Sequence, residues 1–281
     1  METVRDLSYP ALRFFICPYN SRLRILHRSA ACGGSGKYDK IFQLQWFLES
    51  VVKSGVRYEH IVPGRFLERK NRFVATVEIG GVVETVHVKN TGRCRELLIP
   101  NCPVWCVHAP DGGRKTAYDL ITAEKNGRLI NLDAQAPNKL FHEWAAEGKY
   151  LPLPLAIRPE FTHGDSRFDF RLEQADKVRL VEVKGVTLEN DGHVSFPDAP
   201  TERGVKHLRG LMRVAESGME AAVVFVIQME GAKDFSPADQ IHPEFGRVLR
   251  EAAERGVRVE AFDCTVTPDT VRIRAAVPVL L

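Results

Sequence analysis

The run Ala221-Ala222-Val223-Val224-Phe225-Val226-Ile227-Gln228-Met229 contains a single polar residue. A strand of that length without alternation presents apolar side chains on both faces, so both faces have to be covered. The flanking segments supply the cover. Residues Pro200 to Ser217 read as a helix with apolar positions 205, 208, 211, 212 and 215, and Pro200 suits its first turn. Residues Pro243 to Arg255 read as a second helix, with Phe245, Val248, Leu249 and Ala252 inward and Gly256 as its stop. Val257 to Phe262 follows as another strand. Two consecutive strand–helix–strand units imply right-handed crossovers and a mixed sheet flanked by helices.

Two short strands precede this unit. Arg167-Phe168-Asp169-Phe170-Arg171-Leu172 carries Asp169, and thirteen positions later Val178-Arg179-Leu180-Val181-Glu182-Val183-Lys184 carries Glu182 and Lys184. Side chains alternate along a strand, so Glu182 and Lys184 share a face while Val183 points to the core. If the two strands are hairpin neighbours, Asp169 lies beside Glu182. Two carboxylates and one ammonium then converge, which suits a hard divalent cation and a lysine acting on water. Taken alone, Glu-x-Lys on an open strand face is a solvated pair contributing about 0–1 kcal/mol. Leu180, Val181, Val183 and Val186 argue against exposure of this strand.

The remaining sequence bounds the function. The 281 residues are 44% hydrophobic and 27% charged, as in a soluble globular protein of one or two domains. No apolar run approaches the roughly 20 residues that span a bilayer, and the N-terminus makes a poor signal peptide. The six cysteines (17, 32, 94, 102, 106 and 264) show no disulfide spacing, which predicts reduced thiols and a cytoplasmic location. The net charge of +3 is unevenly spread: residues 1–57 hold nine Lys/Arg against four Asp/Glu, a net of +5, so the rest sums to −2. A nucleic-acid footprint on the remainder must therefore be a local patch.

Three regions follow. Residues 1–57 carry an Arg/Ser/Cys/Gly cluster from Arg22 to Gly36, a flexible Gly33-Gly34-Ser35-Gly36 linker and one helix over Ile41 to Val52. The segment is either a charged binding extension, loosely packed as far as Gly36, or translated upstream sequence with the native start near Val56. Residues 58–137 hold β-rich runs carrying Phe66, Phe73, Val74, Val77, Ile79, Val82, Val83, Val86 and Val88, and further strands near Val104–His108, Tyr118–Glu124 and Leu129–Leu132. Gly80-Gly81, Asp111-Gly112-Gly113 and Asn126-Gly127 make the turns, a pattern expected of a small barrel. Residues 138–281 begin with a helix over Asn138 to Glu147 and continue into the strand–helix region.

Asp-(x)12-Glu-x-Lys on two strands, followed by a helix and a buried strand, resembles the PD-(D/E)XK nuclease superfamily. The strings Val88-Lys89-Asn90-Thr91-Gly92-Arg93, Ala136-Pro137-Asn138-Lys139-Leu140, Ser166-Arg167-Phe168-Asp169-Phe170, Val181-Glu182-Val183-Lys184 and Phe196-Pro197-Asp198-Ala199-Pro200-Thr201-Glu202-Arg203-Gly204 resemble the sugar fermentation stimulation protein family, SfsA, from about Tyr58 to Leu281. The resemblance implies an N-terminal OB-like barrel, a C-terminal nuclease-type domain and DNA binding, with a regulatory role in maltose metabolism attached to the family name. It implies that Asp169, Glu182 and the Val183 carbonyl hold Mg²⁺ or Mn²⁺. Lys184 would orient or deprotonate water and stabilise charge on the phosphorane. Glu143 would be either a further carboxylate or a surface residue. Arg203 and Lys206, three apart on one helix face, would grip phosphate.

In the barrel, Arg65, Arg69, Lys70, Arg72, Lys89, Arg93 and Arg95 stand against Glu68, Glu78, Glu84 and Glu96. That basic surface suits strand binding, with Arg65, Arg72, Lys89 and Arg93 as the contacts. Phe66 and Phe73 are either stacking platforms or core. Cys102-x3-Cys106-x-His108 near Cys94 matches no common zinc module, so no zinc is expected, and no phosphate-binding glycine loop implies a nucleotide cofactor. Two functions compete: a divalent-metal-dependent nuclease acting on DNA, with RNA as a further candidate, and a non-catalytic DNA-binding regulator on a nuclease scaffold. An isologous homodimer is the default for assembly.

Overall fold

The computed structural model describes residues 55–90, 92–109 and 115–281. The expected helix over 41–52, the 33–36 linker and the Asp111-Gly112-Gly113 turn lie outside the described residues. A two-residue strand, β1 (Val56–Arg57), leads into a barrel of β2 (Ile61–Arg69), β3 (Val74–Ile79), β4 (Val82–Val88), β5 (Pro103–His108) and β6 (Tyr118–Lys125), with β7 (Arg128–Asn131) appended to β6. β2 pairs with β3 and β5, β3 with β4, and β5 with β6, while a parallel β4–β6 pairing at His87–Asp119 and Val88–Leu120 closes the ring. The result is a closed five-stranded OB barrel.

Local chemistry accounts for these strands. Gly80 and Gly81 both adopt positive φ, at 57° and 82°, which a two-residue hairpin requires if it is to match the right-handed twist of β3 and β4. Phe66, Ala75, Val77, Val86, Val104, Cys106 and Leu120 fill the barrel, each at most 1% exposed. Burial pushes the Cys94 thiol up to about 11 and the Cys106 thiol up to about 12.

The second part begins with helix α1 (Ala136–Ala146), then β8 (Ala156–His163), β9 (Ser166–Gln174), β10 (Lys177–Val186), β11 (Leu188–Asn190) and β12 (His193–Phe196). Helix α2 (Glu202–Glu216), β13 (Glu220–Ile227), β14 (Asp234–Pro237), α3 (Pro243–Glu254), β15 (Arg258–Val266) and β16 (Thr270–Ala276) complete it. Seven strands form one mixed sheet in the order β1-β16-β15-β13-β10-β9-β8, and β11-β12-β14 form a small second sheet. β13 lies in the centre, parallel to β10 on one side and to β15 on the other. Its Val223, Phe225 and Ile227 join the core made with α2 and α3, while Ala222, Val224 and Val226 join the core made with α1. The uninterrupted apolar run thus satisfies both faces.

Several boundaries differ from the sequence expectation. Helix α2 starts at Glu202 rather than Pro200, because Thr201 is the N-cap and its Oγ1 accepts the Gly204 amide at 3.1 Å. β8 gives no apolar pattern because it is an edge strand with no fully buried residue. Val56 and Arg57, assigned by sequence to the N-terminal segment, pair with Val271 and Thr270 of β16, so they belong to the seven-stranded sheet.

Barrel and sheet meet at a polar junction. Lys89 Nζ at the end of β4 lies 2.8 Å from Asp133 Oδ2, and Asp133 also accepts from Tyr58 Oη at 3.2 Å. Gln228 Nε2, at the end of β13, donates to Asn131 Oδ1 at 2.9 Å and to the Asp133 carbonyl at 3.0 Å. Asp133 Oδ1 accepts the Gln135 amide at 3.0 Å just before α1. The start of α1 is therefore tied to the barrel and to β13.

Phe225 is fully buried and stacks on Phe235 with ring centroids 4.1 Å apart. Phe225→Ala is expected to lower the free energy of unfolding by about 3–5 kcal/mol. Val82→Ala, at a residue 59% exposed, should change it by less than about 0.5 kcal/mol. Chemical denaturation of both variants checks the difference.

Candidate active site

The antiparallel ladder between β9 and β10 runs from Gln174–Lys177 to Phe170–Val181 and ends there. Asp169 is the next residue on β9. Its Oδ2 accepts the Val183 amide N–H at 2.8 Å, taking the place of a backbone carbonyl. Strand alternation breaks at the same point, since Phe168 packs with the α2 and α3 core and Phe170 with the α1 core. Asn138, in the first turn of α1, donates from Nδ2 to Asp169 Oδ1 at 2.9 Å. The Asp169 carboxylate is thus fixed by two donors.

Glu182 lies on the opposite face of β10, against α2, and is 2% exposed. Its Oε1 accepts from Lys184 Nζ at 2.5 Å and from His207 Nδ1 on α2. Arg203 Nε donates to His207 Nε2 at 3.4 Å. Because Arg is donor only, Nε2 accepts and the ring proton sits on Nδ1, facing Glu182; this tautomer is assigned from the network. Glu182 Oε2 is buried and has no hydrogen-bond partner among the described residues.

The two carboxyls are pushed in opposite directions. Burial raises Asp169, the Glu182 charge raises it further, and the Val183 amide, Lys184 and Asn138 only partly offset this. Burial would raise Glu182 as well, but the hydrogen bond from His207 and the Lys184 ammonium outweigh it and hold the carboxyl below its usual range. A buried carboxylate with an orphaned oxygen and a half-buried one that feels its charge fit a hard divalent cation, whose ligands are oxygens.

The other expected residues fall into three groups. Glu143 lines the same cleft as Asp169, about 310 Å³ in volume and shared with Asn138, His142 and Glu160, but its Oε2 already accepts the Gly55 amide at 2.8 Å. Val183 offers its amide to Asp169 and pairs with Val224 on β13. Lys206 is exposed near Asp165, whose carboxyl is held down by the Ser166 hydroxyl with Arg213 and Lys206 adding to it. Arg203 is engaged with His207. In the barrel, Lys89 is held in the junction with Asp133 and Arg65 pairs with Glu78 and Asn101, so neither is a free cation. Arg72 and Arg93 are exposed and take part in no ion pair among the described residues.

Sequence reasoning passed over His207 and Asn138. His207 falls inside the buried stripe of α2, with Gly204, Leu208 and Leu211 around it, so helical periodicity could have marked it as a buried polar residue. Asn138 carried no comparable signal, since nothing in the spacing shows that α1 reaches Asp169.

Glu182 titrates lower folded than unfolded, so its share of stability is present above the ordinary carboxylate range and lost as pH falls through the depressed value. Asp169, raised, contributes in the opposite sense and loses stability as pH rises through its folded value. Glu182→Gln should therefore flatten the loss of stability as pH falls from 7 through and below the ordinary carboxylate range. Asp169→Asn should be at least as stable as the parent near pH 7. Denaturation midpoints across that range test both, and equal slopes for the parent and Glu182→Gln would refute the first.

Known proteins place this arrangement. The model of the SfsA N-terminal OB domain matches residues 67–132, and that of the sugar fermentation stimulation protein RE domain matches residues 135–270. A sugar fermentation stimulation protein homolog of Clostridium beijerinckii is 50% identical over 226 residues, covering 80% of this chain and all of the relative. One from Desulfitobacterium hafniense is 52% identical over 216 residues, covering 77% of this chain and 94% of the relative. The solved structure of Pyrococcus furiosus SfsA in complex with Ca²⁺ superposes with a TM-score of 0.73 at 29% identity, covering 81% of this chain and 99% of that one. With an OB barrel, a mixed C-terminal sheet and relatives matched over nearly their whole length, this chain belongs to the sugar fermentation stimulation protein family, SfsA.

Proposed function

We propose that the protein is a divalent-metal-dependent nuclease that hydrolyses phosphodiester bonds in DNA, with RNA as a further substrate candidate. The observation that carries this reading is the orphaned, buried Glu182 Oε2 of a carboxylate whose charge acts on the half-buried Asp169. An unpaired anionic oxygen away from water is costly unless something positive meets it. The relative from Pyrococcus furiosus was solved with Ca²⁺, which supports an oxygen-ligand cation site in the family.

Asp169, Glu182 and the Val183 carbonyl would hold Mg²⁺ or Mn²⁺, which supplies Lewis-acid stabilisation of the charge that builds on a phosphoryl group. The chain's own residues do the rest. Asn138 and the Val183 amide fix the Asp169 carboxylate, and His207 and Lys184 fix Glu182. Lys184, placed on the Glu182 face, donates to the attacking water or to a phosphate oxygen. Water oxygen bonds to phosphorus, the bond to the leaving sugar oxygen breaks, and the proton released by water ends on that oxygen or in solvent. Arg203 acts chiefly by holding His207, and Lys206 is the exposed cation left on α2 for a neighbouring phosphate.

Two measurements separate the possibilities. With Mg²⁺ or Mn²⁺, cleavage of labelled single- and double-stranded DNA is expected to fall about 10²- to 10⁴-fold in Glu182→Ala and Lys184→Ala. Without substrate, either cation should raise the melting temperature of the parent but not of Glu182→Gln. Equal activity in parent and variants would reject the catalytic assignment. Salt-dependent DNA binding by a parent that never cleaves would support the binding-regulator reading.

A further inference from the structure

The turn between the first two barrel strands is built around Arg69. Its guanidinium donates to four backbone carbonyls, those of Asn71 at 3.2 Å, Arg72 at 2.8 Å, Asn90 at 2.7 Å and Arg93 at 2.6 Å. One side chain therefore ties residues 70–73 to the loop after β4. Asn71 Oδ1 accepts the amides of Phe73 at 2.8 Å and Val74 at 3.1 Å, and the Phe73 carbonyl accepts the Val88 amide at 2.8 Å. The backbone of Phe73 is thus held at several points, yet its ring is 54% exposed and stacks on no other aromatic among the described residues. Phe66, the other aromatic of β2 and its turn, is 1% exposed and belongs to the core.

The surroundings are cationic. A cleft of about 500 Å³ is lined by Arg69, Lys70, Arg72, Arg93 and Arg95, and so takes in the turn that leads into Phe73. Arg69 is used up in the turn, but Lys70, Arg72, Arg93 and Arg95 are exposed and form no ion pair among the described residues. Gly92 lines this cleft and also a second cavity of about 180 Å³, whose walls include Gly185, the residue after Lys184.

We infer that the barrel turn is a docking site for single-stranded nucleic acid, in which Phe73 stacks on a base and Lys70, Arg72, Arg93 and Arg95 hold the flanking phosphates. A base can stack on an aromatic face only when it is unpaired, whereas cations alone bind duplex and single strand alike. In OB barrels generally the loop between the first two strands faces oligonucleotides. A half-exposed ring on a backbone held in place offers a face for stacking without reordering the turn. This inference rests on the nucleic-acid reading of the active site and names its substrate as a single strand or a frayed end.

The test is fluorescence anisotropy in EDTA, where no cleavage occurs, with three labelled probes: a short oligothymidylate, an abasic strand of the same length and a duplex. The parent should bind oligothymidylate more tightly than the abasic strand. Phe73→Ala should weaken oligothymidylate binding about 5- to 100-fold, leave the abasic strand unchanged and keep the parent's melting temperature. Phe73→Trp should restore affinity, with the indole fluorescence quenched on binding. Arg72→Ala with Arg93→Ala should weaken all three probes and lower the salt slope. Equal parent affinity for thymidylate and abasic strands, or an unaffected Phe73→Ala, overturns the inference. Phe73-dependent binding by a protein that never cleaves would leave it standing and reject the nuclease reading instead, while a parent that binds no probe at low salt overturns both.

Discussion

The burial of Glu182 governs the site. A carboxylate 2% exposed on a strand flanked by two others must be compensated, because desolvation of a charge far exceeds the net worth of an ordinary hydrogen bond. His207 from α2 and Lys184 from the same strand provide that compensation at one oxygen only. The docking of α2 is therefore coupled to the charge on β10, and Arg203 is drawn in behind His207 to set its tautomer. What remains is an oxygen without a hydrogen-bond partner among the described residues.

Asp169 solves a related problem differently. The strand ladder ends at Phe170–Val181, and the next amide on β10 would be left without an acceptor if a carboxylate did not take it. The same carboxylate receives Asn138 from α1, so both faces of the sheet contribute to the site. Gly185 shows how closely α1 approaches here, since a Cβ at that position would lie 2.7 Å from Pro137 Cγ and 2.7 Å from Gln228 Oε1. The Lys89–Asp133 pair with Tyr58, Asn131 and Gln228 holds the start of α1 against the barrel, so the position of Asn138 depends on the barrel as well.

Much of the fold was legible because it followed from burial alone. The apolar run at 221–229 demanded cover on both faces and has it, and the alternating runs around Gly80-Gly81 and Asn126-Gly127 pair as expected. The outer strands of the seven-stranded sheet were not legible. β8 and β16 bury few side chains and so carry little periodicity, although the ladders to β9 and β15 are regular for much of their length. Among the charged residues, Arg72 and Lys89 look alike in sequence, yet one is exposed and the other is locked to Asp133. Phe66 and Phe73 are separated in the same way, one inside the barrel and one outside.

The order of residues along two neighbouring strands was enough to bring Asp169, Glu182 and Lys184 together, because the period of a strand and the reach of a hairpin leave few alternatives. Membership of the two strands in one sheet with β13 followed from the same local rules. Sequence did not determine what surrounds the carboxylates. Asn138 reaches Asp169 from 31 residues away and His207 reaches Glu182 from 25, with Arg203 behind His207, as set by how α1 and α2 pack on opposite faces of the sheet. Nor did it determine which basic and aromatic residues of the barrel stay in solvent, since that depends on which partners the closed ring leaves unpaired. Those choices are made by packing between distant segments, and only the tertiary structure contains it.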